Sequence, residues 1–280
     1  MAVERIAVVG GGGVMGSGIV QVVAAAGFQV TIVEVDEAAI ERGLKRIERG
    51  LEKWKDDGSA RARITGSTDL DAAGGEADHV IETVIEVLDA KVDVLRRLDA
   101  VCRDDVIFAS NTSQFPISKL AAATKRADRV VGSHWFNPPP LMNLIEVIRG
   151  IETSDETLQA TLDLAQRYGK ETIVCKKDTP GFITSRLIAS FMVEAGRIYE
   201  EGIAELEDID KACKLGFGHA MGPLTTADLS GLDVVEHVAD NLARNYGDRF
   251  LVPQTLRALV NAGHFGRKTG RGLYDYGEAR

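Results

Sequence analysis

The sequence predicts an α/β protein in which a doubly wound sheet precedes an all-helical C-terminal domain. In the first half, short β-branched segments alternate with helical patterns, the order typical of parallel sheets covered by helices. In the second half, apolar residues keep helical spacing over long stretches. This change of pattern predicts a boundary near Lys177, before Pro180, and therefore domains at residues 1–177 and 178–280.

A βαβ unit opens the chain. Residues 6–9 are predicted to form a buried strand, residues 15–26 a helix that ends at Gly27, and residues 30–33 a second strand. Strands joined by a crossover helix run parallel. Further strands are predicted at residues 79–83, 106–109, 130–134 and 144–148. Helical or loop sequence joins each of them to the next, which favours the doubly wound arrangement.

Beyond residue 150 the pattern becomes mainly helical. Ser154 is predicted to cap a helix that stops at Gly169, and a short strand is expected at residues 171–175. A wide apolar stripe along residues 182–198 then requires a partner surface. Helices that can supply it are predicted at residues 208–215, 223–246 and 253–262. An all-helical second domain follows from these patterns.

Composition and charge exclude several classes of partner. The 280 residues are 45% hydrophobic and carry a net charge of −9, with acidic and basic residues interspersed. Because no basic stripe is present to neutralise phosphates, we expect no nucleic-acid and no anionic-membrane partner. The apolar segment at residues 19–26 is far too short to span a bilayer, and the chain starts directly in a strand-like segment. These features predict a cytoplasmic protein.

The cysteines do not indicate a metal site or a disulfide framework. Cys102, Cys175 and Cys213 are well separated and lack the spacing of metal ligands. We expect all three to be small buried apolar residues, with no metal bound.

A glycine-rich loop follows the first predicted strand and opens the first helix. In that context Gly11, Gly13 and Gly16 match the pattern of a dinucleotide-binding loop. The first permits a tight turn, the second lets the backbone approach a pyrophosphate, and the third allows close packing of helix on strand. Val14 and Met15 lie in the same loop and are expected to contact the cofactor. The alternative is a merely flexible turn.

An acidic residue at the end of the second strand predicts which dinucleotide binds. Glu34 lies eighteen residues after Gly16, where a carboxylate can accept hydrogen bonds from ribose hydroxyls and would repel a 2′-phosphate. NAD is therefore expected in preference to NADP. The run of four glycines leaves one residue of uncertainty in register, and Asp36 is a minor alternative to Glu34.

A histidine and a glutamate flank a proline-stiffened turn. His134 opens the turn that contains Pro138, Pro139 and Pro140, and Glu146 lies on the apolar segment that returns from it. An imidazole titrates near neutral pH, and a carboxylate beside it would fix its tautomer and raise its basicity. The pair is therefore a candidate general base. Taken singly, His134 could be a strand-end histidine bonded to backbone, and Glu146 a solvent-facing strand residue.

Several motifs together resemble a known family over nearly the full length of the chain. They are Gly11-Gly12-Gly13-Val14-Met15-Gly16-Ser17-Gly18, Val80-Ile81-Glu82 followed by Glu86 and Lys91, Ser110-Asn111-Thr112-Ser113, His134-Trp135-Phe136-Asn137-Pro138, Asp178-Thr179-Pro180-Gly181-Phe182, Met221-Gly222-Pro223, and Phe265-Gly266-Arg267-Lys268-Thr269-Gly270. The chain resembles the short-chain L-3-hydroxyacyl-CoA dehydrogenases, including the 3-hydroxybutyryl-CoA dehydrogenases. The resemblance implies an N-terminal Rossmann-type domain, a helical C-terminal domain that mediates homodimerisation, and an active site in the cleft between them.

The resemblance also implies roles for residues at the reacting centre. His134 matches the catalytic histidine of the family, and Glu146 matches its glutamate partner. Ser113 matches a serine that bridges cofactor and substrate, and Asn137 a residue at the nicotinamide end. The alternatives are an N-cap for a helix from Pro116 in the case of Ser113, and a turn-forming residue in the case of Asn137.

Three charged residues match positions near the cofactor in the same family. They are Glu86, Lys91 and Lys268, the last within the C-terminal Gly-Arg-Lys-Thr-Gly segment. The alternative for each is a solvated surface charge.

Two departures from the family pattern concern the substrate. Ser185 stands where the family has an asparagine that contacts substrate, and a hydroxyl cannot make the two-ended contact of an amide. Residues 43–64 form a shortened version of the helical hairpin that helps hold the CoA nucleotide, with an abrupt turn at residues 53–59. The stretch stays basic, which suits CoA phosphates; an amphipathic surface helix is the alternative.

Together these features predict an NAD-dependent enzyme that reversibly oxidises (S)-3-hydroxyacyl-CoA to 3-oxoacyl-CoA, with short acyl chains preferred. Its partner would be an acyl-CoA substrate. One alternative is a dehydrogenase of a free 3-hydroxy acid of gulonate or carnitine type, since the hairpin is shortened. Another is a catalytically idle dinucleotide-binding protein, which the presence of both His134 and Glu146 disfavours.

Overall fold

The computed structural model describes residues 3–277. The chain forms two compact units that divide between Phe182 and Ile183. The predicted boundary at Lys177 lies earlier. The segment that follows Lys177 stays with the first unit because the Asp178 carboxylate accepts the backbone N–H groups of Ile117 and Ser118, at 3.0 and 2.7 Å.

The first unit is built on one eight-stranded sheet. Its strands are β1 (Arg5–Val9), β2 (Gln29–Val33), β3 (Ile64–Ser67), β4 (His79–Glu82), β5 (Ile107–Ser110), β6 (Val130–Trp135), β7 (Leu144–Ile148) and β8 (Glu171–Cys175). Their order is β3-β2-β1-β4-β5-β6-β7-β8. Neighbours pair in parallel except β6 and β7, which are antiparallel. The doubly wound class is confirmed, with one reversed connection.

Helices of the first unit cover this sheet. They are α1 (Val14–Ala25), α2 (Glu37–Trp54), α3 (Leu70–Glu76), α4 (Leu88–Val101), α5 (Ile117–Ala121) and α6 (Asp155–Arg167). Side-chain oxygens cap three of them: Asp36 accepts from the Ala39 N–H, Asp69 caps α3, and Ser154 caps α6. Asp36, the alternative to Glu34, is therefore used as the N-cap of α2.

Apolar residues from the strands and from α1 form the core of the first unit. Val8 and Ile32 on adjacent parallel strands are fully buried, and so are Ile19 and Val23 of α1. Trp135 at the end of β6 packs against the ring of Tyr168, so the core extends beneath the end of the strand that bears His134.

The second unit is helical, as the sequence predicts. Its helices are α7 (Thr184–Glu200), α8 (Leu206–Gly216), α9 (Pro223–Ser230), α10 (Leu232–Tyr246) and α11 (Gln254–Asn261). The single helix predicted over residues 223–246 is wrong, because Gly231 adopts φ 96° and separates α9 from α10. No helix between residues 3 and 277 is long and apolar enough to cross a membrane.

Two buried carboxylates fix the C-terminal segment of the second unit. Asp210 accepts the Leu224 N–H at 2.8 Å and the Tyr274 hydroxyl at 3.0 Å. Asp228 accepts the N–H groups of Leu273 and Tyr274, both at 2.9 Å. Desolvation by burial, together with the hydrogen bond to Asp210, raises the pKa of the Tyr274 hydroxyl. The residues after α11 are thus held by side chains of α8 and α9.

Candidate active site

His134 and Glu146 face each other across the antiparallel pair of β6 and β7. The register of β6 and β7 places them directly opposite, and His134 Nδ1 lies 3.0 Å from Glu146 Oε2. Glu146 is 0% exposed and His134 8%, so the alternative of a solvent-facing strand residue is wrong for Glu146. A carboxylate that accepts the Nδ1–H fixes the tautomer in which Nε2 carries the lone pair. The arrangement can accept a proton at Nε2.

Aromatic rings line the imidazole. The Phe136 ring centroid lies 4.7 Å from that of His134, and the Phe182 ring centroid 6.2 Å. Phe182 reaches this position with φ 47°, directly after Gly181 at φ 74°. The sequence motif contains Phe182, but its backbone conformation and its place beside the histidine are not evident from sequence. Apolar walls exclude water and strengthen charge interactions within the site.

The glycine loop joins β1 to α1 with little room for side chains. A Cβ on Gly11 would lie 2.8 Å from the Val8 carbonyl oxygen, and one on Gly16 would overlap the Gly10 carbonyl oxygen. Gly13 is the N-cap residue of α1, with no side-chain cap and no acidic residue in the first turn. Gly10, at φ 83°, is a further glycine that the turn requires.

An uncapped helix N-terminus of this kind fits the pyrophosphate of a dinucleotide. Backbone N–H groups and the helix dipole both favour an anion there. Gly13 and Val14 are exposed at this end and Met15 is half-buried. The residues present therefore fit NAD, and the predicted loop residues lie together.

Glu34 lies at the carboxyl end of β2 and is tied to the glycine loop. Its Oε1 accepts the Gly12 N–H at 2.9 Å, and Arg46 Nη1 donates to the Gly12 carbonyl at 2.8 Å. Oε2 of Glu34 has no hydrogen-bond partner among the residues described. The carboxylate is thus oriented by the loop while one oxygen can still accept a ribose hydroxyl.

A buried ion-pair network lies beyond the ends of β4 and β5. Lys91 Nζ contacts Glu82 Oε1 at 2.8 Å, Glu86 Oε2 at 3.1 Å and the Val84 carbonyl at 3.4 Å. The Ser110 hydroxyl donates to Glu82 Oε2 at 2.5 Å. Lys91 is 1% exposed and Glu82 0%, so the alternative of a solvated charge is wrong for Lys91. The three donors of the ammonium are all used within the protein.

Glu86 connects this network to Ser113. Glu86 Oε1 accepts the Thr112 hydroxyl at 2.6 Å and the Ser113 N–H at 2.9 Å. The alternative for Ser113, an N-cap, is wrong, because Pro116 is the N-cap residue of α5 and makes no side-chain cap bond. Lys91 and Glu86 therefore hold the backbone of Ser113. Glu82 and Ser110 belong to the quoted motifs, but the sequence does not indicate their bond.

Asn111 ties three strand ends together. Its Oδ1 accepts the Trp135 N–H at 2.8 Å and its Nδ2 donates to the Thr83 hydroxyl at 3.3 Å. The residue next to His134 is thereby fixed to the ends of β4 and β5. Sequence reasoning assigned no role to Asn111.

Asn137, by contrast, lies exposed in the turn that follows β6.

Lys268 and Ser185 belong to the second unit. Lys268 Nζ donates to Asp233 Oδ2 at 2.6 Å and lies 5.2 Å from the Phe265 ring centroid. Ser185 is half-buried in the first turn of α7.

The basic stretch before residue 64 belongs to α2, which ends where Lys55 adopts φ 55°.

Comparisons with known proteins agree with this architecture. The family model of the 3-hydroxyacyl-CoA dehydrogenase NAD-binding domain matches residues 5–179, and that of the C-terminal domain matches residues 181–276. A probable 3-hydroxybutyryl-CoA dehydrogenase of Bacillus subtilis is 42% identical, over 99% of this chain and 99% of its own length. The mitochondrial hydroxyacyl-coenzyme A dehydrogenase of Homo sapiens is 39% identical, over 98% and 91%.

A solved structure gives the same result. The crystal structure of (S)-3-hydroxybutyryl-CoA dehydrogenase from Ralstonia eutropha superposes with a TM-score of 0.94 at 40% identity, covering 99% of this chain and 100% of that one. With both domain models matched and with relatives similar over the full length, the chain belongs to the NAD-dependent 3-hydroxyacyl-CoA dehydrogenase family.

Proposed function

We propose that this enzyme oxidises short-chain (S)-3-hydroxyacyl-CoA, of the 3-hydroxybutyryl-CoA kind, and that His134 is its base with Glu146 as partner. The observation that carries the proposal is the 3.0 Å contact between His134 Nδ1 and Glu146 Oε2. The short-chain preference is supported by the names of the relatives, which include 3-hydroxybutyryl-CoA dehydrogenases.

In this mechanism the protein moves one proton. His134 Nε2 accepts the proton of the substrate 3-hydroxyl as the C–O bond becomes a carbonyl, and Glu146 stabilises the imidazolium that results. When bound, NAD supplies the acceptor for the hydride that leaves the same carbon. In the reverse direction the imidazolium returns its proton to the ketone oxygen. The apolar rings of Phe136 and Phe182 keep water from the base.

The cofactor roles follow from the positions described above. The N-terminus of α1 would hold the pyrophosphate, with Gly11, Gly13, Val14, Met15 and Gly16 forming the loop, and Glu34 would accept the ribose hydroxyls. Asn137 would lie at the nicotinamide end. We assign Lys91 and Glu86 an indirect role, because their charged groups hold the Ser113 backbone.

Further contacts are proposed residue by residue. The Ser113 hydroxyl would bond the substrate oxygen, Ser185 would donate one hydrogen bond to the thioester carbonyl, and Lys268 would lie near the cofactor. The basic face of α2, including the exposed Lys45, would contact CoA phosphates. Ser185 can supply one donor where the family asparagine supplies an amide, so altered positioning of the substrate is expected without loss of chemistry.

The substrate class is tested by following NADH absorbance with acetoacetyl-CoA, free acetoacetate, gulonate and carnitine-type acids. The expected result is turnover with the CoA thioester at a kcat/KM far above that for any free acid. Turnover confined to a free acid would replace the proposal with the 3-hydroxy-acid dehydrogenase. Absence of turnover with every substrate, together with NADH binding, would indicate the catalytically idle protein.

A homodimer through the second unit is also proposed. Its described residues expose large apolar side chains on neighbouring helices, which is typical of a covered surface. They include Leu187, Ile188, Leu215, Phe217 and Leu229. Sedimentation equilibrium is expected to give twice the mass of one chain, and a monomer would contradict the assignment.

A cytoplasmic location stays a prediction from sequence.

A further inference from the structure

The proline turn between β6 and β7 is held by a buried lysine that belongs to neither strand. Lys170 directly precedes β8 and is 8% exposed. Its Nζ donates to the Pro139 carbonyl at 2.8 Å and to the Met142 carbonyl at 2.7 Å. These two carbonyls lie on either side of the tip of the turn, so a single ammonium group ties the turn closed.

Burying the Lys170 ammonium group lowers the stability of the fold more than burying an apolar side chain would. Among the residues that the structure describes, no carboxylate forms an ion pair with Lys170, and burial lowers the pKa of its ammonium group. An unpaired charge removed from water is unfavourable unless hydrogen bonds compensate. Methionine would fill a similar space without that cost. The charge is therefore explained by the two carbonyls it binds.

The same turn also packs against α1. A Cβ on Gly18 of α1 would lie 2.8 Å from Pro139 Cδ and 3.1 Å from Pro140 Cδ. Any side chain at Gly18 would push the prolines away from α1. The turn thus contacts both Lys170 and α1, whose N-terminus is the proposed pyrophosphate site.

We propose that Lys170 is a positioning residue for catalysis: with Gly18 it fixes the proline turn, and through that turn it sets Asn137 and His134 relative to the bound cofactor. The inference rests on the roles proposed for His134 and Asn137. Pro139 is two residues from Asn137, so a displaced turn carries Asn137 with it. A misplacement of about 1 Å at a reacting centre can cost about 100-fold in rate.

The test compares K170M, K170R and K176M by steady-state kinetics with NADH and acetoacetyl-CoA, and by urea unfolding. K170M keeps an apolar stem and removes the donors, whereas K170R keeps donors for the carbonyls. Lys176 follows β8 and is exposed, so K176M is the matched control. We expect K170M to lower kcat/KM for NADH by about 10- to 100-fold in folded protein, K170R to recover part of the loss, and K176M to match the parent.

A second pair of variants keeps the proposal falsifiable if K170M folds poorly. G18A should weaken NADH use in the same way, since it displaces the same prolines. The G18A/K170R double variant should lose less than the product of the two single effects, because both act on one turn. Wild-type kinetics in folded K170M, or in G18A, would overturn the proposal.

The outcome is separable from that of the proposed function. An inactive H134N beside an unaffected K170M would leave the base in place and remove the role of Lys170. Equal activity of H134N and the parent would instead remove the proposed base, whatever K170M does.

Discussion

At the scale of single residues, the contact between His134 and Glu146 depends on strand register. His134 and Glu146 are Cα partners across β6 and β7, so both side chains leave the sheet on the same face. A slip of one residue would move one of them to the other face. Burial of Glu146 then makes its hydrogen bond to the imidazole hard to replace by water.

Removing the imidazole tests the base. We expect H134Q to lower kcat with acetoacetyl-CoA by roughly two to four orders of magnitude while leaving NADH affinity nearly intact. Stopped-flow absorbance gives the rate and NADH fluorescence titration gives the affinity. A variant as active as the parent would contradict the role of His134.

A second histidine links stability to pH. Burial lowers the pKa of His79, in β4, to about 4, while an unfolded histidine titrates near ~6.5. Above that value neither state binds the proton. As pH falls from about 6.5 toward 4, only the unfolded state does, so the free energy of unfolding should decrease by about 3 kcal/mol in total.

Urea unfolding measured between pH 7 and 5 checks this, since few carboxylates titrate there. In H79Q the free energy of unfolding should fall less between pH 7 and 5. The control H219Q, at an exposed position, should show the same fall as the parent protein. An equally steep decrease in H79Q would show that other groups take up the proton.

At the scale of secondary-structure elements, α5 owes its start to a residue far along the chain. The Asp178 carboxylate accepts the N–H groups of Ile117 and Ser118, which are among the donors that a helix N-terminus leaves unpaired. D178A should therefore destabilise the first unit by about 1 to 2 kcal/mol, measured by urea unfolding. D104A, at an exposed residue, is the control. Equal midpoints for D178A and the parent would exclude the capping role.

Sequence patterns predict most of these elements but not every boundary or direction. β1, β2 and the capped helix α6 follow from periodicity and local caps. β3 was missed because its four residues include Gly66 and expose two positions, which leaves no alternating pattern. The break at Gly231 was missed because one glycine within an apolar helical pattern has no fixed meaning until its φ is known.

The site was predictable where a motif is local and unpredictable where contacts are distant. The glycine loop lies within one turn, so its roles follow from order alone. The Glu82–Ser110 bond joins residues 28 apart, and Lys170 reaches Pro139 across 31. No periodicity encodes such pairs. The family resemblance therefore identified Lys91 as a candidate but did not predict its burial between Glu82 and Glu86.

At the scale of the whole molecule, cofactor binding should stabilise the chain selectively. NAD present at 100 times its Kd should raise the free energy of unfolding of the first unit by about 2.7 kcal/mol. NADP at the same concentration should raise it far less, because Glu34 would repel a 2′-phosphate. Thermal scans with each nucleotide measure the shift.

In the variant E34A, NAD and NADP should raise the free energy of unfolding by more similar amounts than in the parent protein. In the parent protein the Glu34 carboxylate accepts the Gly12 N–H, so removing the carboxylate should also reduce the order of the glycine loop. An equal shift with NAD and NADP in the parent protein would contradict the role of Glu34.

The reversed strand determines how far apart in sequence His134 and Glu146 lie. His134 and Glu146 are 12 residues apart and belong to one hairpin, whereas each parallel neighbour needs a crossover connection. The loop that must close to bring the two side chains together is therefore short, and closing it costs little conformational entropy. The pair is thus a contact of low sequence separation. The Glu82–Ser110 bond, by contrast, joins two parallel strands across 28 residues.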